Sequence, residues 1–172
     1  MSLLIGSLLI GLILSLLSLG VYISFRIFAF ADITAEGSIT LGAAVAAILL
    51  IKGWPPAAAT CAGMLAGTIA GALTGILAMR FQINGLLAGI LTMTALYSVN
   101  LRIMARSNLP LLNENTLASQ AERLGKRLFG APNLMIGGWE VAARDAALLL
   151  MVPALVAAVA LALFFFFFAR PL

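Results

Sequence analysis

An all-α, polytopic transmembrane bundle is the fold class this sequence predicts, on three observations. Hydrophobic residues make up 63% of the chain and charged residues only 9%, with a mean hydropathy of +1.16; in a soluble domain about a quarter of residues are charged. Apolar runs of about 20 residues, each long enough to cross the hydrocarbon core, fill most of the length. Small residues recur four apart inside one run, the spacing by which helices nest in lipid. Together they predict a single membrane domain over residues 1–172. It should hold about five membrane segments, one of them broken or short, and an amphipathic interfacial helix in the loop 103–145.

The net charge of +4 comes from ten Lys and Arg scattered at the ends of apolar runs. That pattern suits the anionic headgroups of a lipid bilayer and not nucleic acid. Cys61 is the only cysteine, so no intrachain disulfide can form. Histidine is absent, which removes the usual metal ligand and the usual general base together.

The first span covers residues 3–25 and closes on Arg26, whose long side chain can snorkel to the interface. Gly6, Gly11 and Gly20 thin it. Ala29-Phe30-Ala31 resembles a signal-cleavage site, but no basic residue precedes the run and more spans follow, so it reads as a membrane helix.

In the second segment, residues 27–51, the continuous apolar part (41–51) is too short to cross alone. Asp32, Glu36, Ser38 and Thr40 interrupt it. A carboxylate at mid-bilayer costs about 2.5–3.5 kcal/mol on insertion scales, so something must solvate these groups. Two readings follow. In one, the segment crosses as a helix broken around residues 32–38 and lines a hydrated path. In the other, a loop holds Asp32 and Glu36 at headgroup level and a short helix capped by Ser38 follows. Lys52-Gly53-Trp54-Pro55-Pro56 then reads as an interfacial turn, its prolines opening the next helix.

Residues 57–79 carry Gly63, Gly67, Gly71 and Gly75. Four residues exceed one turn, so this ridge drifts around the helix and favours a crossed contact. It fits a dimerisation face or an internal seam, and a chain of several spans favours the seam. Residues 83–101 form the next helix, where Gly85 and Gly89 repeat the small spacing. Thr94, Tyr97, Ser98 and Asn100 make its second half polar, to contact solute or to hydrogen-bond neighbouring helices.

Beyond it, Leu117, Ala121, Leu124 and Leu128 lie opposite Gln120, Glu122, Arg123, Lys126 and Arg127. That is an amphipathic helix for the membrane surface or the flank of the bundle, with Gly130 and Pro132 as stop signals. The last span, residues 146–168, contains Pro153, a potential kink.

Enzyme chemistry finds no footing. Gly125-Lys126 lacks the upstream glycine and the following hydroxyl of a phosphate loop, so ATP is not expected to be hydrolysed here. Gly37-Ser38 has no histidine to activate the serine. Asp32 and Glu36, four apart, are a weak signal for a hydrolase and suit proton or cation coupling equally. No catalytic or metal-ligating residue is assigned.

Two stretches carry a resemblance: Arg26-Ile-Phe-Ala-Phe-Ala-Asp-Ile-Thr-Ala-Glu-Gly-Ser-Ile-Thr-Leu-Gly-Ala-Ala-Val45 and Asn84-Gly-Leu-Leu-Ala-Gly-Ile-Leu-Thr-Met-Thr-Ala-Leu-Tyr-Ser-Val-Asn-Leu-Arg102. With them nearly the whole chain resembles the permease subunits of bacterial ABC importers of the branched-chain amino acid and ribose type. The closest group is the subgroup paired with lipoprotein-like solute receptors. The resemblance implies the bacterial cytoplasmic (inner) membrane, a second permease copy, cytoplasmic ATPase subunits that bind ATP and Mg, and an extracytoplasmic solute-binding protein. It also implies that the helix containing residues 32–40 is broken near the translocation path. In the family a span like 146–168 leads to a cytoplasmic loop with a coupling helix and to further spans, so the chain is expected to be the N-terminal portion of a truncated or split permease. The resemblance puts Arg170 inside and residues 102–145 outside, whereas the Lys and Arg of that loop point the other way by the positive-inside rule.

The expected function is a permease subunit passing a small polar solute, such as an amino acid, by alternating access powered by a partner. Asp32, Glu36, Ser38, Thr40, Thr94, Tyr97 and Asn100 are the lining candidates; Gly63, Gly67, Gly71, Gly75, Gly85 and Gly89 are the packing positions. The alternatives are a solute-capturing membrane component of another transport system, or a structural or regulatory membrane protein assembled through the glycine ridge.

Overall fold

The computed structural model of the chain describes residues 2–27, 29, 32–106, 108–111, 114–129, 133–136 and 139–168. Helix α1, Ser2–Tyr22, runs into one π-helical turn, Ile23–Ile27; α2 is Thr34–Ile51, α3 Pro56–Arg80 and α4 Gly85–Met104. Then come α5, Leu117–Phe129, the strands β1, Asn133–Ile136, and β2, Trp139–Ala142, and α6, Ala143–Phe168, with Pro153 inside it. Among the described residues five helices are long and apolar enough to cross a membrane, and α5 is not one of them. The short one is α2, whose 18 residues span about 27 Å, just under the hydrocarbon thickness of about 30 Å.

An antiparallel hairpin stands where only loop was expected, Asn133 facing Ala142 and Ile136 facing Trp139. Gly137-Gly138 separates the two short runs in sequence, a dipeptide that suits tight hairpin connections. Gly130 and Pro132, the expected stop signals, and Arg170 lie outside the described residues.

The chain divides into two compact units, residues 1–19 with 117–172, and residues 20–116. In the first, α5 packs on α6, and β2 also touches α6. What α5 buries is small: Ala121 and Gly125 are covered, while Leu117 and Leu124 stay exposed. Glu122 and Lys126 pair at 2.7 Å on its half-exposed side, a contact between groups four residues apart that contributes about 0.3–0.5 kcal/mol.

In the second unit α2 packs against both α3 and α4, which also touch each other. Leu41, Ala70 and Leu96, one from each helix, form its core, with Val45, Ala66 and Ile103 packed around them. The helices meet backbone to backbone at Gly42 and Gly63: a Cβ on Gly63 would stand 2.5 Å from the Gly42 carbonyl oxygen, and one on Gly42 2.9 Å from that of Gly63. A Cβ on Gly67 would meet the Ser38 carbonyl oxygen at 3.2 Å.

The seam does not continue along the glycines as expected. Among the described residues nothing lies within 4 Å of a Cβ placed on Gly71, and one on Gly75 meets the tip of Met79 at 3.8 Å. Each four-residue step overshoots a full turn by about 40°, so three steps carry the ridge about 120° away from α2. Ala70 and Thr74 rotate into the contact instead, and both are buried.

The connections are built from local chemistry. After α2, the Trp54 N–H donates to the Leu49 carbonyl and the Gly53 N–H to that of Leu50, with Gly53 at φ +80°, the left-handed turn that glycine tolerates best. Pro55 is extended and Pro56 opens α3, where a missing N–H costs nothing. Asn84 caps α4 by accepting the Leu86 N–H at 2.9 Å.

Candidate solute path

The expected break around residues 32–38 is displaced: α2 is continuous from Thr34, and Asp32 and Ile33, directly before it, lie outside the helix. Asp32 sets the helix start. Its Oδ1 accepts the Thr34 N–H at 2.8 Å, satisfying one of the donors that every helix N-terminus leaves open. Ser38 is therefore not the cap; its hydroxyl donates to the Ala35 carbonyl at 2.9 Å, inside the helix. The Thr40 hydroxyl donates likewise to the Glu36 carbonyl at 2.5 Å. Such bonds to a preceding turn let hydroxyl residues stay helical at membrane depth.

The start of α2 is clamped from both sides. Thr34 and Thr74 are each 1% exposed, and their hydroxyls lie 2.9 Å apart across α2 and α3. Thr74 also reaches the Ala70 carbonyl at 3.3 Å. A hydroxyl has one proton, so Thr74 donates to Ala70 and Thr34 donates to Thr74, leaving both satisfied. On the other side Gly89 of α4 admits the chain, since a Cβ there would meet the Ile33 nitrogen at 3.3 Å and the Thr34 hydroxyl at 3.5 Å. Gly85 opens α4 one turn earlier. Thr34 and Thr74 were absent from the expected site; the available signal was Thr74 lying four residues after Ala70, on the stripe that the drifting ridge turns inward.

On α4 the buried stripe is Ala88, Gly89, Thr92, Leu96 and Asn100. Asn100 is 7% exposed, and its Oδ1 has no hydrogen-bond partner among the described residues. Thr94 is exposed and bonds back to the carbonyls of Ile90 and Leu91, while Tyr97 is 68% exposed. Ser98 is exposed as well.

The seven lining candidates thus fall into two groups. Asp32, Ser38 and Asn100 are covered wholly or in part; Glu36, Thr40, Thr94 and Tyr97 are exposed. Among the described residues, the hydrogen bonds of the structure join none of the four on α2 to the three on α4. Nor does any described residue pair with the Glu36 carboxylate. The first turns of α2 therefore present a free carboxylate and a threonine on one exposed edge, Glu36 and Thr40 being one turn apart. That edge can accept hydrogen bonds and balance a positive charge. Metal binding has no such support: among the described residues no group of three His, Cys, Asp or Glu is placed to hold an ion.

The profile of the family described as "Branched-chain amino acid transport system / permease component" matches residues 3–170. The chain is 49% identical over 103 residues to the tyrosine transport system permease protein of Clostridioides difficile (strain R20291), a stretch covering 60% of this chain and 35% of that protein. It is 43% identical over 119 residues to the uncharacterized protein RP368 of Rickettsia prowazekii (strain Madrid E), covering 69% of this chain and 42% of that one. The chain thus spans well under half the length of the curated relatives it matches. No solved structure matches it.

Proposed function

The chain belongs to the branched-chain amino acid transport system permease family, and from that membership we propose that it forms part of the translocation path for an amino acid in an ATP-driven importer. It is a multi-pass protein of the bacterial inner membrane. The observation that carries the reading is the exposed edge of α2, where Glu36 has no partner among the described residues just past a helix interruption. A carboxylate left against hydrocarbon costs about 2.5–3.5 kcal/mol, so this edge belongs against water or a polar solute. Discontinuous helices gather at solute sites in membrane transporters because their free backbone groups and terminal dipoles need a wet cavity.

In this account the solute exchanges part of its hydration for Glu36, Thr40 and the exposed hydroxyls of Thr94 and Tyr97. Alternating access is driven from outside the chain. Cytoplasmic ATPase subunits bind ATP and Mg, an extracytoplasmic binding protein delivers the solute, and a second permease copy completes the channel. The name of the Clostridioides difficile relative makes tyrosine the first solute to try.

Reconstitution with the ATPase and binding protein tests this. Labelled tyrosine or leucine should accumulate in proteoliposomes only with ATP, and Glu36→Ala should lower the rate about tenfold, the scale of one lost charged hydrogen bond. Failure to co-purify with an ATPase, together with no uptake, would contradict it.

A further inference from the structure

Helix α5 commits few of its residues to the rest of its unit. Where it packs on α6, Ala121 and Gly125 are covered. Among the described residues the buried ones of α6 are Ala146 and Ala147, next to Asp145 in its first turn. Beyond them its large side chains are bare, with Leu150 64%, Leu155 56% and Leu161 58% exposed, a flank suited to hydrocarbon. Asp145 is also the first residue of Asp145–Leu163, the stretch long and apolar enough to cross a membrane. Helix α5 therefore sits beside the end of that crossing, at the depth of the lipid headgroups.

The leucines and charges of α5 are sorted by edge. Successive residues turn by about 100°, so Leu117 and Leu124, seven apart, share one line along the helix to within about 20°. They are 46% and 45% exposed, immediately beside the covered edge of Ala121 and Gly125. On their other flank stand Gln120, Arg123 and Arg127, all exposed. Glu122 and Lys126 pair on the side away from the leucines. The helix carries three basic residues, Arg123, Lys126 and Arg127, against one acidic, Glu122. Arg127 takes no ion pair among the described residues.

We propose that these two edges of α5 form a recognition site for anionic phospholipid, the leucines entering the acyl boundary and Arg127, with Arg123 beside it, holding the headgroup phosphate. A guanidinium meets phosphate in two parallel hydrogen bonds, and an interfacial helix gains from buried apolar area and from anionic headgroups together. A zwitterionic lipid offers the same phosphate beside its own cation, so the net attraction of the arginine edge selects the anionic one. The occupant is lipid and not a second protein because the uncovered flank of α6 already places hydrocarbon against the same helix pair. The site stands apart from the transport reading and does not depend on it.

The test uses the purified chain in nanodiscs of equal parts phosphatidylglycerol and phosphatidylcholine. A fluorophore is attached to Leu124→Cys in a Cys61→Ser background, and bromine, a quencher, is carried on the acyl chains of one lipid or the other. Phosphatidylglycerol should be preferred at the probe by at least about fivefold, the scale of one cation near an anionic surface. Arg127→Gln should lower that preference about fivefold, and Arg127→Lys should keep most of it. Leu117→Cys should give the same reading from a second position, while Leu155→Cys on the bare flank of α6 should be quenched equally by both lipids. Equal quenching at Leu124→Cys and Leu117→Cys, the same preference at Leu155→Cys, or a preference untouched by Arg127→Gln would each overturn the site. A probe that neither lipid quenches would put the leucine edge in water or under another protein, and would overturn it as well.

Discussion

Thr34 and Thr74 hold the start of α2 against α3 through one buried hydroxyl pair. Cross-helix hydrogen bonds of this kind are modest in membranes, averaging about 0.6 kcal/mol and reaching about 1.7, because the unfolded chain in lipid also finds partners. A double-mutant cycle of Thr34→Val and Thr74→Val, read by unfolding in detergent, should give a coupling energy in that range; additive effects would mean the hydroxyls do not interact. At this scale the sequence was informative about kind and less so about role. Asp32, Glu36, Ser38 and Thr40 stand out because they are polar among apolar neighbours. Asp32 serves the backbone, Ser38 and Thr40 bond within α2, and only Glu36 is left without a partner among the described residues. Composition does not tell these apart, since a hydroxyl that bonds the preceding turn is compatible with an unbroken helix.

Each helix was legible in its apolar run, and its ends in the chemistry of the turns. Lys52 to Pro56 gave the α2–α3 connection, and Asn84 caps α4. Helix α2 begins at the first N–H that Asp32 can accept, so Glu36, Ser38 and Thr40 are polar without making the backbone irregular. The glycine seam is shorter than the run of glycines because the run drifts around α3. That drift yields a prediction. Gly63→Ala puts a methyl 2.5 Å from the Gly42 carbonyl oxygen, whereas Gly71→Ala meets nothing within 4 Å among the described residues. The first should destabilise the fold by about 1–3 kcal/mol, as overpacking does; the second should be neutral or slightly stabilising, since alanine is the better helix former. Thermal unfolding of the two variants in the same detergent checks this, and equal losses would place the seam elsewhere.

For the whole molecule, the bundle class and its membrane spans follow from hydropathy alone, because only helices with internally satisfied backbones, or closed barrels, cross lipid. The hairpin and the paired glycines of α2 and α3 were not legible, since each depends on a partner distant in sequence or on two very short runs. If α3 crosses the bilayer as its 25 residues allow, Lys52→Cys and Phe81→Cys in a Cys61→Ser background should be labelled by an impermeant reagent from opposite sides. Labelling from one side would contradict the crossing. The proposed facing of the exposed α2 edge onto a hydrated solute path is probed in the assembled importer in its membrane, again without Cys61. There Glu36→Cys and Thr40→Cys should react with a small hydrophilic thiol reagent and be protected by transported solute, while Ile69→Cys on the exposed side of α3 should not react. Glu36→Cys and Thr40→Cys as inert as Ile69→Cys would mean that this edge faces no hydrated path.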